Sequence, residues 1–597
     1  MTALFEKILQ ARGLQGDAVD AFLHPDYALG HDPFLLPDMK AAVDRLVVAR
    51  ERQEKITIYG DYDIDGLTAT TVLLDALAAF GFRFVETFIP NRFVEGYGMT
   101  NEAVERIAEQ GANLIITVDC GSLSEGPITR AKELGMDVIV TDHHNVAPVQ
   151  PPAVAVINPK RLLQDYPKYY RDLRLVKQVK SKPLYPFLDL PGVGVAFKLV
   201  QALQTKLDGL EAGQEKWLLD LVALGTVCDV VTLVDENRTH VYWGLKVLAK
   251  TRRPGLKALM AVSGVEPSKV NARSLGFALG PRMNAAGRLE TAKYAQDMLI
   301  TGSGDTALRL AQQLDEMNAL RRADQDSIYK AALTQAANYH DDPVLVLSHP
   351  EWNHGIVGIV AAKILEKYKK PTFVLQELPA QHEHSMRALG GGDAASDSLR
   401  SKSEGLAPPA VVSEESKGSA RSYGDFSAAD AIRASDDIIT KGGGHKLAAG
   451  VTLPTKNIKA FRKRVNEYFL SLDLSSQAPL LLPKADVEIT DFSEVTERLI
   501  EQIAQLEPFG NGNPEPILAI KNVLVTNLRR MGAEAQHVKL AVQDASGRSL
   551  ELLAFLAPAE WFVDPGARVD IWFQATLNEW QGRRSVEGRL LHLVVPE

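Results

Sequence analysis

Residues 55–70 read KITIYGDYDIDGLTAT: a short apolar strand ends near Gly60 and delivers three aspartates at alternate positions, Asp61, Asp63 and Asp65. Carboxylates crowded in this way repel one another unless a cation neutralises them. Working outward, KITIYG, ANLIITVDCG, MDVIVTDHHN and AVAVINP are β-rich runs that alternate with the helix-period segments TATTVLLDALAAFGF and ITRAKELG. That alternation predicts an α/β domain with a parallel sheet, in which ligands bind at the carboxyl ends of the strands. LIITVD ends in Asp119, and VIVTD runs into Asp142, His143 and His144. Each aspartate alone has an ordinary explanation as a turn or cap residue. Their coincidence at successive strand ends points to a metal centre. Carboxylate and imidazole donors without thiolate suit Mn²⁺, Mg²⁺ or Fe²⁺ better than a structural Zn²⁺. Two such ions roughly 3.5–4 Å apart clamp a phosphate and activate water, so phosphoester hydrolysis is the expected chemistry.

The chain, at 597 residues, is too long for one core, and about three or four domains are expected. No apolar run approaches the roughly 18 residues that cross a bilayer. The N-terminus, MTALFEKILQARGLQGDAVDAFLHP, mixes charge into its apolar positions and lacks a signal peptide's hydrophobic segment. A cytoplasmic protein without membrane association is expected. Cys120 and Cys228 cannot form a disulfide framework and read as small apolar residues. The net charge of −9 argues against coating nucleic acid by bulk electrostatics but leaves room for a local basic channel.

The expected organisation is an N-terminal extension (1–50), a catalytic α/β domain (51–300), a long polar connecting helix (301–342), a smaller α/β domain (343–455) and a β-rich domain (456–597). Residues 378–417, rich in Gly, Ser, Ala and Pro, read as a flexible insertion. Residues 160–182 carry eight basic side chains against two acidic ones and read as a solvated loop rather than a nucleic-acid contact. After residue 480, segments such as PILAIKNVLVTNL, HVKLAVQDASG and RVDIWFQATLNEW predict about five or six antiparallel strands and a small barrel of the oligonucleotide-binding (OB) type. Phe555, Trp561, Trp572 and Trp580, with Arg529, Arg530, Arg583 and Arg584, have the chemistry to stack bases and track phosphates. Aromatic residues in barrels more often fill the core, so none is assigned to binding.

DYDIDG, VDCG, TDHH and GTVCDVV resemble the four ordered motifs of the DHH phosphoesterase superfamily. GPRMNAAGR, GSARS, GGGHKLAAG and LEPFGNGNPEP are similar to motifs of its RecJ-type branch, bacterial exonucleases specific for single-stranded DNA. The likeness runs from DPFLLPDM to the final barrel. It implies a DHH phosphoesterase domain, a DHH-associated domain and an OB-like barrel. It implies that Asp63, Asp65, Asp119, His143 and Asp229 bind one or two Mn²⁺ or Mg²⁺ ions, with Asp119 bridging. Asp61 then supports the metal shell and His144 steadies the scissile phosphate or attacking water, so Asp61, Asp63, Asp65 and His144 are the candidate catalytic residues. Related pyrophosphatases place a histidine where this chain has Tyr59, so one ion is expected to be weaker or more hydrated. Arg282, Ser419 and Arg421 are implied to hold a 5′ phosphate, with Asn284, Arg288, Gly443, Gly444 and His445 as further substrate-binding candidates.

The implied function is metal-dependent 5′-to-3′ degradation of single-stranded DNA to mononucleotides in recombination and repair. The implied protein is a monomer, with a RecQ-type helicase and a single-stranded-DNA-binding protein as candidate partners. Two other readings stand beside it: a DHH phosphodiesterase acting on short oligonucleotides or cyclic dinucleotides, and a non-catalytic DNA-binding scaffold. The barrel and the N-terminal extension favour long DNA over the first. The complete Asp and His set argues against the second.

Overall fold

The structure is a computed structural model that describes residues 1–96, 98–165, 184–378, 415–472, 474, 483–532, 535–580 and 582–596. The chain divides into two compact units, Met1–Asn318 with Pro483–Glu597, and Ala319–Leu482.

In the first unit β1 (Ile56–Tyr59), β2 (Val85–Phe88), β3 (Leu114–Val118), β4 (Asp137–Thr141) and β5 (Ala155–Ile157) form a wholly parallel sheet in the order β2-β1-β3-β4-β5. β1, β3 and β5 are buried along their whole length because helices cover both faces. On one face Ile56, Ile58, Ile116 and Val118 pack against Leu67 and Val72 of the helix Ile64–Ala79 and Phe197 of the helix Gly192–Leu203. On the other, Tyr59, Ile115, Val138 and Val140 pack against Val104 and Ile107 of Asn101–Glu109 and Ile128 of Glu125–Glu133. β2 was not among the expected strands; it is a short edge strand, nowhere fully buried, and so lacks a continuous apolar run. The expected extension 1–50 divides instead between two cores. Leu4, Phe5, Ile8 and Leu9 of Ala3–Ala11 join the barrel core, while Met39, Val43 and Leu46 of Met39–Arg52 join the sheet core. Short amphipathic helices cannot bury an apolar face alone, so each docks on the nearest core.

The helix Gly304–Ala337 runs for 34 residues across the boundary between the two units. The second unit carries β6 (Leu345–His349), β7 (Thr372–Leu378), β8 (Glu415–Arg421), β9 (Lys441–Gly444) and β10 (Ala448–Pro454) in the order β6-β7-β8-β10-β9. Only β6 and β7 pair in parallel. The unit does not end at 455 as expected: Ile458, Phe461 and Val465 of the helix Ile458–Ser471 share a core with Phe373, Leu375 and Val451. Of the expected insertion 378–417, the ends are strand, with Leu378 opposite Glu415 and Gln376 opposite Lys417. Residues 379–414, and 166–182 of the basic stretch, lie outside the described residues.

The C-terminal part of the first unit, from Pro483, holds the barrel. β11 (Val487–Glu488) flanks β12 (Leu518–Met531), β13 (His537–Gln543), β14 (Ser549–Ala554), β15 (Arg568–Trp580) and β16 (Arg583–Val594). The order β12-β13-β14-β16-β15 closes through pairing of β15 with β12. Phe573 is core and Phe555 is exposed. Among the described residues no helix is long and apolar enough to cross a membrane.

Candidate metal centre

β1 ends at Tyr59, and a few residues later the chain turns into the helix Ile64–Ala79. Asp63 caps that helix, its Oδ1 accepting from the N–H groups of Asp65 at 2.9 Å and Gly66 at 3.2 Å. Asp65, wholly buried, accepts at Oδ2 from Gly192 N (2.6 Å) and at Oδ1 from Val193 N (2.8 Å), the first N–H groups of the helix Gly192–Leu203. That helix starts against Asp119: a Cβ on Gly192 would stand 2.6 Å from the Asp119 Cβ, so only glycine fits. Asp119 itself follows β3 in the left-handed region, at φ 61. Asp229 is the C-cap of the helix Leu219–Cys228. Helix carbonyls put partial negative charge there, so a carboxylate in that place is disfavoured and a neighbouring cation would stabilise it.

These ends converge. His143 Nε2 lies 3.0 Å from Asp119 Oδ1 without hydrogen-bond alignment, 3.6 Å from Asp229 Oδ2 and 3.8 Å from Asp65 Oδ2. Donor atoms gather in three overlapping groups: Asp61, Asp63 and Asp119; Asp65, His143 and Asp229; and Asp119, His143 and His144. Asp61 Oδ1, Asp119 Oδ1, His143 Nε2 and Asp229 Oδ2 are buried with no hydrogen-bonding partner. Burial, then the charge of Asp63, pushes Asp61 up to about 8 and Asp65 up to about 7. Burial and the surrounding aspartates also raise Asp119 and Asp229 well above the carboxylate range. Burial, then the charge of His144, lowers His143 to about 3, keeping its imidazole neutral as a ligand must be. Carboxylate oxygens with one neutral imidazole, four of the donor atoms buried and unpartnered, fit one or two divalent ions of the Mn²⁺ or Mg²⁺ kind.

Asp142 does not join these groups, although the sequence placed it beside the two histidines. It accepts from Ser122 N (2.9 Å), His143 N (2.7 Å), His144 N (3.0 Å) and His144 Nδ1 (2.9 Å), and these contacts lower its carboxyl despite burial. Burial alone would lower His144, but this bond and the charges of Asp142, Asp63 and Asp61 raise it. Asn158 completes the brace, donating to Ser122 Oγ at 2.8 Å and His144 O at 2.9 Å. Tyr59 turns away: its hydroxyl donates to Gly98 O at 2.9 Å and its ring stacks on Phe88.

The other candidates lie in both units. Arg282, Asn284 and Arg288 ride the helix Gly280–Leu289, where Arg282 pairs with Asp315 at 2.8 Å and donates to Ala278 O. In the second unit Ser419 and Arg421 alternate along β8 and therefore share a face. Both meet the first turn of the helix Val357–Tyr368, where a Cβ on Gly358 would lie 3.2 Å from Ser419 Oγ and 3.1 Å from an Arg421 terminal nitrogen. Burial lowers the Arg421 guanidinium, and no carboxylate pairs with it among the described residues. Across the sheet, Ser419 stands opposite Gly450 and Gly450 opposite Gly443, an exposed row of small residues on β10 and β9. Gly444 follows on β9 and His445, exposed, opens the hairpin, its N–H donating to Ala448 O.

The sequence matches the DHH family N-terminal domain over residues 55–226, the DHHA1 domain over 341–471 and the RecJ OB domain over 485–592. It is 34% identical over 601 residues to the single-stranded-DNA-specific exonuclease RecJ of Bacillus subtilis (strain 168), covering 100% of this chain and 68% of that protein. The chain belongs to the RecJ family. Escherichia coli (strain K12) RecJ is 33% identical over 575 residues, 92% of this chain and 89% of that one. The crystal structure of Thermus thermophilus RecJ in complex with Mn²⁺ superposes with a TM-score of 0.77 at 28% identity, covering 100% of this chain and 76% of that one.

Within this RecJ-family chain, sequence reasoning missed three groups around the cluster. Asn158 and Gly192 carry no local signal, since an Asn before a proline and a Gly after one read as plain turns. Arg92 lies with its guanidinium 4.3 Å from the Tyr62 ring centre, and its charge lowers Asp61. Its segment IPNRFVEGYG could have drawn notice as an arginine just past a strand end.

Proposed function

We propose that this chain is a divalent-metal-dependent exonuclease that removes mononucleotides from the 5′ end of single-stranded DNA. The observation that carries the reading is the convergence of four buried, unpartnered donor atoms from Asp61, Asp119, His143 and Asp229. Bound there, Mn²⁺ or Mg²⁺ neutralises phosphate charge and acidifies water. Asp63, Asp65, Asp119, His143 and Asp229 are the proposed residues that would hold the ions, and Asp119 belongs to two of the three donor groups. Asp61, grouped with Asp63 and Asp119, belongs to the same shell. His144, held by Asp142 Oδ1 at 2.9 Å, is proposed to steady the phosphate being cut. Ser419 and Arg421, beside the first turn of Val357–Tyr368, are suited to a terminal phosphate. Arg282, Asn284, Arg288, Gly443, Gly444 and His445 are proposed contacts to the sugar-phosphate backbone.

Hydrolysis of the first P–O3′ bond releases a nucleotide and leaves a 5′ phosphate on the shortened strand. The same phosphate pocket therefore reads each new end. The OB-type barrel suits a long strand better than a dinucleotide. A cytoplasmic location, a monomeric state and work alongside a RecQ-type helicase and a single-stranded-DNA-binding protein are proposed with this reading, on the likeness to RecJ.

The test is a digestion of strands labelled at the 5′ or 3′ end, single-stranded or duplex, in Mn²⁺ or Mg²⁺. The expected result is mononucleotide release from the 5′-labelled single strand first, with duplex resisting. Cleavage of dinucleotides with no attack on long strands would favour the small-substrate reading. Tight DNA binding without release would favour a scaffold.

A further inference from the structure

The metal-ligand candidate Asp229 stands at an unusual helix end. The residue after it, Val230, takes the left-handed conformation at φ 61. Glycine ordinarily fills that position, because a β-branched side chain crowds the backbone there. Such a conformation persists only where surrounding contacts over-determine it. Val230 is itself 65% exposed, so its own packing does not hold it.

Beside the Thr232 N–H, which donates to Asp189 Oδ2 at 2.9 Å, the contacts on this turn come from LEPFGNGNPEP, residues 506–516, the segment that enters the barrel and that neither the metal centre nor the phosphate pocket uses. Asn511 Nδ2 donates to the Val230 carbonyl at 2.9 Å, and Leu233 N donates to the Asn511 carbonyl at 2.7 Å. Gly510 and Gly512 lie so close that added Cβ atoms would stand 2.7 Å from Leu233 Cδ1 and 3.0 Å from Thr232 Cβ. The segment is rigid in its own right. Asn513 Nδ2 donates to the carbonyls of Leu506 and Pro508, both at 2.9 Å, and Asn513 Oδ1 accepts from Arg12 at 3.0 Å. Arg238, on the helix Asp235–Leu248, donates to the Leu506 carbonyl at 2.9 Å.

We infer that Asn511 is a positioning residue for Asp229. By holding the Val230 carbonyl it fixes the left-handed turn and with it the direction of the Asp229 carboxylate. The barrel's entry segment is thereby part of the cation site's construction. The inference rests on the metal-binding reading proposed above.

The test measures Mn²⁺ binding to the full-length protein by the loss of the free-ion electron paramagnetic resonance signal, without DNA and independent of turnover. Asn511→Ala is expected to weaken Mn²⁺ binding about tenfold, the scale on which groups behind metal ligands act. Asn511→Asp is expected to do the same, because a carboxylate of equal size cannot donate to a carbonyl. Glycine needs no external hold in the left-handed region, so in a Val230→Gly background the same Asn511→Ala change is expected to cost under about threefold. A purely structural role would lower Tm without this dependence on residue 230. Parent-like Mn²⁺ affinity in Asn511→Ala, or an equal loss in both backgrounds, overturns the inference while leaving the metal centre intact. A parent protein that takes up no Mn²⁺ overturns the metal reading and the inference together.

Discussion

At the carboxyl edge of the parallel sheet, Asp61, Asp65, Asp119 and Asp229 crowd together, and three of them keep an oxygen with no partner. On β8 of the second unit, Arg421 is largely buried with no carboxylate paired to it among the described residues. Several other buried charges meet a partner: Lys198 meets Glu236, Arg253 meets Asp75 and Asp220, Arg12 meets Asp486, and Arg238, with no carboxylate beside it among the described residues, donates to the Phe22 and Leu506 carbonyls. Burial is common to all of these groups; pairing is not. Since an unpaired buried charge is costly, the aspartate cluster fits a divalent cation and Arg421 suits the terminal phosphate proposed for it. The sign differs between the two regions, a cation for one and an anion for the other. That is the division of labour a phosphoester hydrolase needs.

The comparison can be broken first on its anionic side. His143→Ala removes the imidazole that reaches three aspartates, the proposed ligand, and is expected to lower kcat by about 10³-fold with loss of Mn²⁺ uptake. Single-turnover rates with parallel metal titration check it. Breaking the cationic side costs less: Arg421→Met is expected to weaken the preference for a 5′-phosphorylated over a 5′-hydroxyl strand by about 10- to 100-fold. The same change is expected to raise Tm, whereas Lys198→Met, which strands Glu236, is expected to lower it. Binding assays and thermal melts distinguish the two.

The smallest effect sharpens the comparison through pH. Burial and the charge of Asp63 set Asp61 at about 8 and Asp65 at about 7, so a cation must displace protons from both. Mn²⁺ affinity is therefore expected to fall about tenfold between pH 8 and pH 7. The metal-free protein carries the opposite sign. Its folded carboxyl pKa values lie above the unfolded value of about 3.9, so the native state holds extra protons in between. Stability is thus greatest at the acidic end of that window and is lost as pH rises through 7 and 8. Saturating Mn²⁺ is expected to abolish that loss in melts at pH 6 and pH 8.

Much of this centre was legible because strand ends and their donors are local features. DYDIDG, VDCG and TDHH each stand within a few residues of an apolar run, so Asp61, Asp63, Asp65, Asp119 and His143 could be placed on one edge from the order of residues alone. Asp229 was different. It closes a buried helix that lacks a strand's alternation, and only family likeness singled it out. Asp142 shows the limit of proximity: adjacent to two histidines in sequence, it turns to the N–H groups of Ser122, His143 and His144, away from the donor groups. The boundary at 455 failed because the helix Ile458–Ser471 follows the last strand directly, and which sheet its apolar face covers is not a local property.

The sequence by itself determined the alternation of strands and helices, the closed barrel at the end and the inventory of oxygen and imidazole donors. Side-chain period and strand-end chemistry are written within a few residues, which is why these could be read directly. Only the tertiary structure decided which of those donors lack partners, that Gly192 lets a distant helix start against Asp119, and that Asn511 of the barrel entry holds the residue beside Asp229. The reason is that a polar atom's partner is supplied by whichever chain segment packs against it, and that segment can lie hundreds of residues away.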